Sequence, residues 1–372
     1  MANVAPTSGH SAAGVRVAVD AMGSDHGPIE VVNGALTFAR SNPADHVILV
    51  GDEATIRGIA GELPANASIR HASQVVEMDE HPALALREKK DASILVAMDL
   101  VRRGEADALV TAGHTGAGMA AAVLRLGRLP GVDRPALAVQ MVTDAGPFVL
   151  LDIGANPDST GENLAQYARM GTIFAEHVLD VPRPKVALLS IGEEKGKGDA
   201  RIQRATEILD ESDLNFVGNV EGKDLTRQLA DVVVCDAVLG NVVIKFFEGL
   251  SGFIFDLFRA EFRGSWRGKL AYLLMRPSIA RIRTVFDYEK VGGSPLLGVR
   301  GTVIITHGRA KRRMIGYAVE VGARMARERV PDLIGDAFGG ARRRGSDDAP
   351  AGQVPADSAA SPASAGDQAG AA

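Results

Sequence analysis

Residues that can bind anions or move protons follow nearly every segment predicted to form a strand. In chain order they are Asp20, Asp25 and His26; Thr111, His114 and Thr115; Asp152 and Asn156; Glu193, Glu194, Lys195 and Lys197; Asn219; Asp236, Asn241 and Lys245; and His307. Each alone is explained by a turn or a helix cap, because Asp and Asn commonly cap helices. Their recurrence at strand ends, with Lys and Glu that caps do not require, favours a site for a charged ligand.

The segment from Thr111 to Gly118 is the strongest candidate for binding an anion. Gly113, Gly116 and Gly118 would let the backbone approach a ligand where a strand enters and a helix leaves. The free N–H groups at a helix start carry about half a positive charge. The order G-x-x-G-x-G is neither the dinucleotide fingerprint nor a P-loop. The segment therefore predicts phosphate binding and gives NAD no support; the alternative is a tight turn packed on the sheet.

Other polar or reactive residues leave structural alternatives open. Lys195-Gly-Lys197 could hold a second anionic group or form a solvated loop. Cys235 lies in an apolar run, which indicates a buried and inert thiol. No spacing of His, Cys and carboxylates suggests a metal site, and no G-x-S-x-G nucleophile elbow occurs. The sequence thus predicts neither a metal nor any other cofactor.

The stretch from Phe246 to Phe286 is apolar and basic. Its first part repeats apolar residues at helical spacing, and half of the chain's 12 Phe lie between residues 246 and 262. This combination suits an anionic membrane surface or an acidic protein partner. The alternative is packing against itself or against a second subunit. The predicted docking residues are Phe253, Leu257, Phe258, Arg259, Arg263, Trp266, Arg267 and Lys269.

Composition excludes several classes of protein. The 372 residues are 46% hydrophobic, which is ample for a sizeable core, and the net charge of −5 gives no basic field for nucleic acid. A single cysteine permits no intrachain disulfide, and the start of the chain lacks a basic region followed by an apolar core. We therefore expect a cytoplasmic protein. No run of about 18 apolar residues is apparent, so we expect no membrane-spanning segment.

Short predicted strands alternate with helices along most of the chain. The strands are predicted over residues 14–19, 46–52, 68–76, 106–111, 136–142, 147–153, 185–191, 216–222, 231–236 and 302–307, and helices over 29–40, 93–103, 119–126, 162–179, 200–209 and 309–329. This alternation predicts βαβ units and a three-layer α/β fold whose mainly parallel sheet has helices on both faces. We expect a catalytic domain over residues 15–340, with a helical hairpin outgrowth at 246–286. A flexible start (1–14) and a disordered tail (341–372) would flank it.

Eight short motifs resemble those of the bacterial phosphate acyltransferases. They are Asp-Ala-Met-Gly-Ser-Asp (20–25), Ala-Gly-His-Thr-Gly-Ala (112–117), Leu-Leu-Asp-Ile-Gly-Ala-Asn (150–156), Ile-Gly-Glu-Glu-Lys-Gly (191–196), Gly-Asn-Val-Glu-Gly (218–222), Gly-Asn-Val-Val-Ile-Lys (240–245), Glu-Gly (248–249) and Pro-Leu-Leu-Gly-Val (295–299). The resemblance implies synthesis of acyl phosphate from acyl-acyl carrier protein and inorganic phosphate, for phospholipid synthesis. It implies a Rossmann-like fold similar to phosphate acetyltransferase and a homodimer. It also implies peripheral attachment to an anionic membrane, beside the membrane acyltransferase that loads glycerol 3-phosphate.

The resemblance and the residue chemistry together assign roles. The predicted catalytic residues are His114, Asn156, Asn219, Asn241 and Lys245. The predicted substrate-binding residues are Asp20, Gly23, Asp25, His26, Gly113, Thr115, Gly116, Asp152, Glu194, Lys195, Asp236 and His307. Phosphate is expected at the glycine segment with Lys195 or Lys245, the oxyanion at the three Asn, and the proton on His114, His26 or His307. Ser24 and His114 depart from the Gly and Asn of the family pattern, and Ala237-Val-Leu departs from its Gly-Phe-Thr.

Three other functions remain open. A short-chain phosphate acetyltransferase that uses coenzyme A would not require the outgrowth. A membrane-recruited scaffold with an inactive site would not require glycine and charge at the strand ends. An NAD-linked dehydrogenase of similar fold would require the missing dinucleotide fingerprint. Donor specificity and phosphate-dependent thiol release separate these hypotheses.

Overall fold

The computed structural model describes residues 14–143, 146–285 and 288–346. Within these ranges the strands are β1 (Arg16–Asp20), β2 (His46–Gly51), β3 (Ala67–His71), β4 (Ala108–Thr111), β5 (Ala136–Val142), β6 (Pro147–Leu151), β7 (Lys185–Leu189), β8 (Asn215–Val220), β9 (Val232–Val234), β10 (Ser294–Leu297) and β11 (Thr302–Ile305). The helices are α1 (Pro28–Ser41), α2 (Glu53–Ala60), α3 (Pro82–Glu88), α4 (Ser93–Arg102), α5 (Thr115–Arg125), α6 (Gly161–Val178), α7 (Ala200–Asp210), α8 (Ala237–Arg263), α9 (Trp266–Val285), α10 (Arg312–Arg327) and α11 (Val330–Ser346).

The described strands form one sheet in the order β3-β2-β1-β4-β11-β10-β5-β6-β9-β7-β8. Most neighbouring strands are parallel, as β1 is to β2 and β4, and as β9 is to β6 and β7. Three pairs are antiparallel: β11 with β10, β10 with β5, and β5 with β6. The prediction of a mainly parallel α/β fold is confirmed.

These antiparallel pairings divide the sheet into two halves that run in opposite directions. Three antiparallel steps separate β11 from β6, so β6, β9, β7 and β8 point opposite to β3, β2, β1, β4 and β11. The carboxyl ends of β1, β4 and β11, with the polar residues that follow them, therefore point in one direction. The carboxyl ends of β6, β7 and β9 point in the opposite direction. The sequence pattern alone gives strand ends but not this reversal.

Helices cover both faces of the sheet and bury one apolar layer on each. One layer joins α1, α6 and α10 through residues such as Leu36, Tyr167 and Ile315. The other layer joins α3, α4, α5 and the start of α8 through residues such as Leu95, Ala121 and Ile244. The three-layer arrangement expected from the alternating elements is thus present.

Several elements differ from the prediction in ways that affect the site. Helix α5 begins at Thr115, four residues before the predicted start, because the His114 side chain accepts hydrogen bonds from its first turn. The four-residue β10 and the seven-residue α3 are too short to give a periodic signal. The predicted boundary at residue 340 falls inside α11, and residues 1–13 and 347–372 lie outside the described residues.

Helices α8 and α9 form the helical hairpin that the sequence predicts. They join at Gly264 and Ser265, and the Ser265 side chain caps α9 by accepting from the Gly268 N–H at 3.0 Å. A Cβ at Gly268 would lie 2.9 Å from the carbonyl oxygens of Glu261 and Phe262, so glycine allows the helices to approach at the turn. Phe262 contacts Phe258 and Tyr272, with ring centroids 6.3 and 5.7 Å apart.

Helix α8 bears on the expectation that no segment spans a membrane. Among the described residues it is the one helix long and apolar enough to cross a bilayer, judged by length and composition only. Its buried residues (Ala237, Gly240, Ile244 and Ser251) tie its first half to the protein body. The remainder, from Gly252 to Arg263, extends about 18 Å at 1.5 Å per residue. This is shorter than the roughly 30 Å hydrocarbon core of a bilayer.

Candidate active site

A cleft of about 530 Å³ lies on one face of the sheet, where its two halves meet. Its floor is formed by alternate residues of β5, which point to the same face, and α8 forms a wall. The segments after β11 and after β6 also contribute to its lining. The apolar lining consists mainly of Leu137, Val139, Met141, Ile153, Val238, Val242, Ile244, Phe247, Val291, Ile305 and Met314.

Besides Ser294 and Thr306, five polar residues line this cleft. They are Thr115 at the start of α5, Asn241, Lys245 and Glu248 on α8, and His307 after β11. The structure thus brings together four of the predicted site residues, with Glu248 as an addition. An extended apolar lining with several convergent polar groups is the usual character of a small-molecule site.

The geometry of α8 explains why its polar residues meet at the cleft. Asn241, Lys245 and Glu248 are spaced by four and three residues, which places them on one helix face. Asp236 fixes where the helix begins, because its carboxylate accepts from the N–H groups of Val238 and Leu239 at 2.9 and 3.0 Å. Asp236 therefore acts on the site through the helix it caps.

Gly240 sets the depth at which α8 packs. A Cβ at this position would lie only 2.0 Å from the carbonyl oxygen of Asp152, so no side chain fits there. The absence of a side chain brings the first turns of α8 against the segment that follows β6. The Gly-Asn-Val-Val-Ile-Lys motif thus contains both the packing glycine and two polar residues of the cleft.

Lys245, Glu248 and His307 form a charged cluster across the cleft. The Glu248 carboxylate accepts from Lys245 Nζ at 3.2 Å and pairs with His307 Nε2 at 2.9 Å. Burial would raise the pKa of Glu248, but the bond from His307 and the nearby positive charge of Lys245 outweigh it and hold that pKa below its ordinary value. Glu248 is therefore an ionised acceptor near neutral pH.

The glycine segment after β4 is satisfied largely by its own groups. His114 Nδ1 accepts from the N–H groups of Gly116 and Ala117 at 3.1 and 3.4 Å, so the imidazole occupies the helix start at which an anion was predicted. Thr111 donates to buried Asp20 at 2.8 Å, and burial raises the pKa of that carboxyl. Gly23 packs closely on Gly113. Only Thr115 of this segment lines the large cleft.

The segment after β6 is organised around a buried carboxylate. Asp152 accepts from the backbone N–H groups of Leu137, Gly154, Ala155 and Asn156 at 2.8 to 3.1 Å, yet burial still raises its pKa. The Asn156 side chain donates to Asp152 and to the Pro135 carbonyl oxygen. These groups fix the turn whose Ile153 and Gly154 line the cleft, and they do not line it themselves.

The remaining predicted site residues lie away from the cleft lining. Lys195 is 82% exposed and pairs with Asp210 at 2.7 Å, and Glu194 is exposed on the same loop. The Asn219 amide donates weakly to the Lys197 carbonyl, while its buried Oδ1 has no partner among the described residues. His26 lines a separate depression with Glu30 and Lys311. Asp25 bonds through its backbone N–H to the Gly308 carbonyl, one residue beyond His307.

Two parts of the cleft were missed by sequence reasoning. Glu248 has a local signal, since it falls three residues after Lys245 on a helix. The apolar lining of β5 has no such signal, because Leu137, Val139 and Met141 look like ordinary core residues of a buried strand. Among the described residues, no group of three or more His, Cys, Asp or Glu could hold a metal ion.

Solved structures with this fold define the general class. The EutD phosphotransacetylase from Staphylococcus aureus matches with a TM-score of 0.56 at 16% identity, covering 85% of this chain and 95% of that one. A 4-hydroxythreonine-4-phosphate dehydrogenase from Klebsiella pneumoniae matches at 0.52 and 14% identity, covering 86% and 100%. At these identities the likeness establishes the fold alone, an α/β fold common to phosphotransacylases and certain dehydrogenases.

Sequence comparison defines the family. Residues 15–333 match the family described as "Fatty acid synthesis protein". The phosphate acyltransferase of Desulfitobacterium hafniense (strain Y51) is 49% identical over 310 residues, which cover 82% of this chain and 92% of that protein. The phosphate acyltransferase of Myxococcus xanthus is 46% identical over 318 residues, covering 84% and 90%. The chain belongs to the phosphate acyltransferase family.

Proposed function

We propose that this protein transfers the acyl group of a long-chain acyl-acyl carrier protein to inorganic phosphate, forming acyl phosphate for phospholipid synthesis. The observation that carries the proposal is the cleft itself. An extended apolar lining suits a fatty acyl chain, and Thr115, Lys245 and His307 place a donor, a cation and an imidazole within the same cavity. The relatives' name, phosphate acyltransferase, supports the same chemistry.

Phosphate is the nucleophile in this scheme, so no covalent enzyme intermediate is required. Phosphate esters have a second pKa of about 6, and free phosphate is partly dianionic in neutral solution. Lys245 would bind the negatively charged phosphate, and the Thr115 hydroxyl would orient the phosphate for attack. The enzyme's contribution is to hold two anionic reactants in the reacting geometry, an effect that can be worth several kcal/mol.

The tetrahedral oxyanion requires preset donors. Asn241 lines the cleft on the same helix face as Lys245, and its amide is the best-placed candidate. Asn156 and Asn219 do not line the cleft, so the oxyanion-binding roles predicted for them from the sequence have less support than that of Asn241. In the structure the Asn156 amide is engaged in the turn around Asp152, and Asn219 lies under the 192–198 loop.

His307 is the best candidate for moving the proton among the three histidines proposed from the sequence. Its ring lines the cleft, whereas His114 caps α5 and His26 lies in another depression. In this scheme the proton of the phosphate passes to His307 and then to the leaving thiolate. The products are acyl phosphate and the free thiol of the carrier protein.

Thiol release tests the proposed function. Purified protein is mixed with long-chain acyl-acyl carrier protein, with or without phosphate, and the free thiol and acyl phosphate are measured. We expect release only with phosphate, and faster release from the carrier protein than from acetyl coenzyme A. Equal rates with acetyl coenzyme A would favour the short-chain alternative, and no phosphate-dependent release from either donor would contradict the proposal.

We also propose that the α8–α9 hairpin docks the enzyme on anionic membranes. Phe253, Leu257 and Trp266 are 64%, 58% and 71% exposed, and Arg259, Arg263, Arg267 and Lys269 supply positive charge beside them. Burying such side chains in a lipid interface is favourable, and basic residues add attraction to anionic lipids. The product is amphiphilic, so delivery at a membrane would place it beside the acyltransferase that uses it for glycerol 3-phosphate.

Two further proposals concern partners. The acidic acyl carrier protein would approach over the same basic hairpin surface, which lies on the helix that leads into the cleft. A second copy of the chain would form a homodimer, and it would cover part of the apolar surface of the hairpin in place of the membrane. Size-exclusion chromatography with light scattering tests the dimer. We further propose that the enzyme is cytoplasmic and associates peripherally with the membrane.

A further inference from the structure

Glu248 is the one charged residue of the cleft that the proposed chemistry leaves without a role. Its carboxylate lies between the two groups that do have roles, and it accepts from Lys245 Nζ and pairs with His307 Nε2 at 3.2 and 2.9 Å. It reaches His307 from a different element, because Glu248 lies on α8 and His307 follows β11. A surface ion pair would not require such a bridge, and Glu248 itself is only about a quarter exposed.

The geometry also fixes which imidazole nitrogen can act as a base. An ionised carboxylate only accepts hydrogen bonds, so His307 Nε2 carries the proton in this pair. In the neutral ring Nδ1 is then the unprotonated nitrogen, and it has no hydrogen-bond partner among the described residues. A histidine held in one tautomer by a carboxylate is the arrangement that general base catalysis uses.

We propose that Glu248 is a positioning residue that holds His307 in the tautomer able to accept the phosphate proton. This inference rests on the proposed function and deepens it. In the step, a phosphate oxygen bonds to the thioester carbonyl carbon and the carbon–sulfur bond breaks. The hydrogen of HPO₄²⁻ moves to His307 Nδ1 and then to the departing sulfur. Glu248 stays ionised and stabilises the transient imidazolium.

The test is a double-mutant cycle on the 372-residue chain. The variants are Glu248→Gln, His307→Ala and both together, and the assay is phosphate-dependent thiol release from long-chain acyl-acyl carrier protein. Glutamine keeps the size of the side chain and removes the charge. The matched control is Glu320→Gln, which makes the same change at an exposed helical position outside the hairpin, on α10.

We expect Glu248→Gln to lower kcat about 100-fold while KM for the acyl carrier substrate changes less than about threefold. In the His307→Ala background the same change should lower kcat less than about twofold, because a positioning residue has no further effect once its target is gone. Equal losses in both backgrounds, or no loss in the wild-type background, would overturn the proposal. A rise in KM without a fall in kcat would overturn it too.

A spectroscopic measurement keeps the inference testable if His307→Ala is too slow to assay. Nitrogen NMR of histidine-labelled protein reports the tautomer of each ring, and His307 is assigned by the signal lost in His307→Ala. We expect the Nε2-protonated tautomer in the wild type and a mixture in Glu248→Gln. An unchanged tautomer would contradict the inference. If the wild type and Glu320→Gln both fail to release thiol with phosphate, the proposed function fails, and the NMR result still decides the Glu248–His307 pairing.

Discussion

The segment after β4 and the first half of α8 both contribute to the cleft, and both contain the glycines and polar residues expected of a binding site. In the first, the imidazole of His114 accepts the N–H groups of the helix start, and Thr111 donates to buried Asp20. In the second, Asn241, Lys245 and Glu248 lie on one helix face and line the cleft, where Glu248 pairs with Lys245 and His307. Polar residues of the same types thus stabilise the fold in one region and remain available to a substrate in the other.

The difference follows from what each segment has nearby. The segment after β4 lies under the neighbouring loop after β1, where Gly23 packs on Gly113 and leaves little room. The start of α8 lies over alternate side chains of β5, which form an apolar floor and offer no hydrogen bonds to polar groups above it. A strand-end motif therefore indicates a site only where the neighbouring elements leave space for a ligand beside its polar groups.

Replacing Lys245 should produce the largest effect. We expect Lys245→Ala to lower kcat/KM for phosphate-dependent thiol release by about 100- to 1,000-fold, since it removes the cation proposed to hold the reacting phosphate. Lys185→Ala is the matched control, because Lys185 is exposed at the start of β7. If Lys245→Ala synthesises acyl phosphate at the wild-type rate, Lys245 does not bind the reacting phosphate. The proposed difference between the α8 segment and the segment after β4 would then be wrong.

Gly240 tests whether the packing depth of α8 determines the geometry of the cleft. A Cβ there meets the Asp152 carbonyl oxygen at 2.0 Å, so Gly240→Ala must shift α8 or the turn after β6. We expect kcat to fall at least about tenfold, and the free energy of unfolding to fall by about 1–3 kcal/mol in denaturant titrations. Gly252→Ala is the control on the same helix, since nothing lies within 4 Å of its Cβ position. It should be neutral or stabilise by about 0.5–1 kcal/mol.

The second half of α8 extends the contrast to an exposed surface. We expect the double change Phe253→Asp and Leu257→Asp to weaken binding to anionic phospholipid vesicles by more than about tenfold, because each exposed apolar residue contributes about 1.5–3 kcal/mol when buried. Cosedimentation measures the effect, and Val217→Asp, on β8, is the control at an exposed apolar residue outside the hairpin. Vesicle binding that survives the double change would show the membrane proposal to be wrong.

Local patterns predicted most of the fold but only part of the candidate site. Strands such as β5 and helices such as α6 are visible because apolar spacing reports which face is buried. The reversal between the two sheet halves depends on β10, whose four residues carry no periodic signal. Because of that reversal, His307 and the segment after β6 line one cleft on the face of the sheet. The pattern of polar residues at strand ends does not show this, so it could not predict that Lys245 lines the cleft and Lys195 does not.

His114 distinguishes capping from anion binding at the segment after β4. If its imidazole chiefly caps α5, His114→Ala should lower the free energy of unfolding by about 1 kcal/mol. His114→Asn should restore most of that loss, because an amide oxygen can accept the same N–H groups. KM for phosphate should then change less than about twofold in both variants. A large rise in KM with unchanged stability would instead support the anion site predicted from the sequence.

Asp20 should give the smallest effect, with a sign that depends on pH. Burial raises the pKa of its carboxyl above the ordinary 3.8, so the folded state binds the proton more tightly than the unfolded state does. This carboxyl therefore favours folding most below pH 3.8, and that contribution is lost as the pH rises through the raised folded-state value.

Asp20→Asn removes the ionisable group but can still accept from Thr111. We expect the variant to be more stable than the wild type at neutral pH, by no more than about 1 kcal/mol, and the difference to vanish as the pH falls toward 3.8. Denaturant midpoints across that range measure it. If the variant is instead less stable at neutral pH, the ionised carboxylate stabilises the fold there, which would contradict a raised pKa for Asp20.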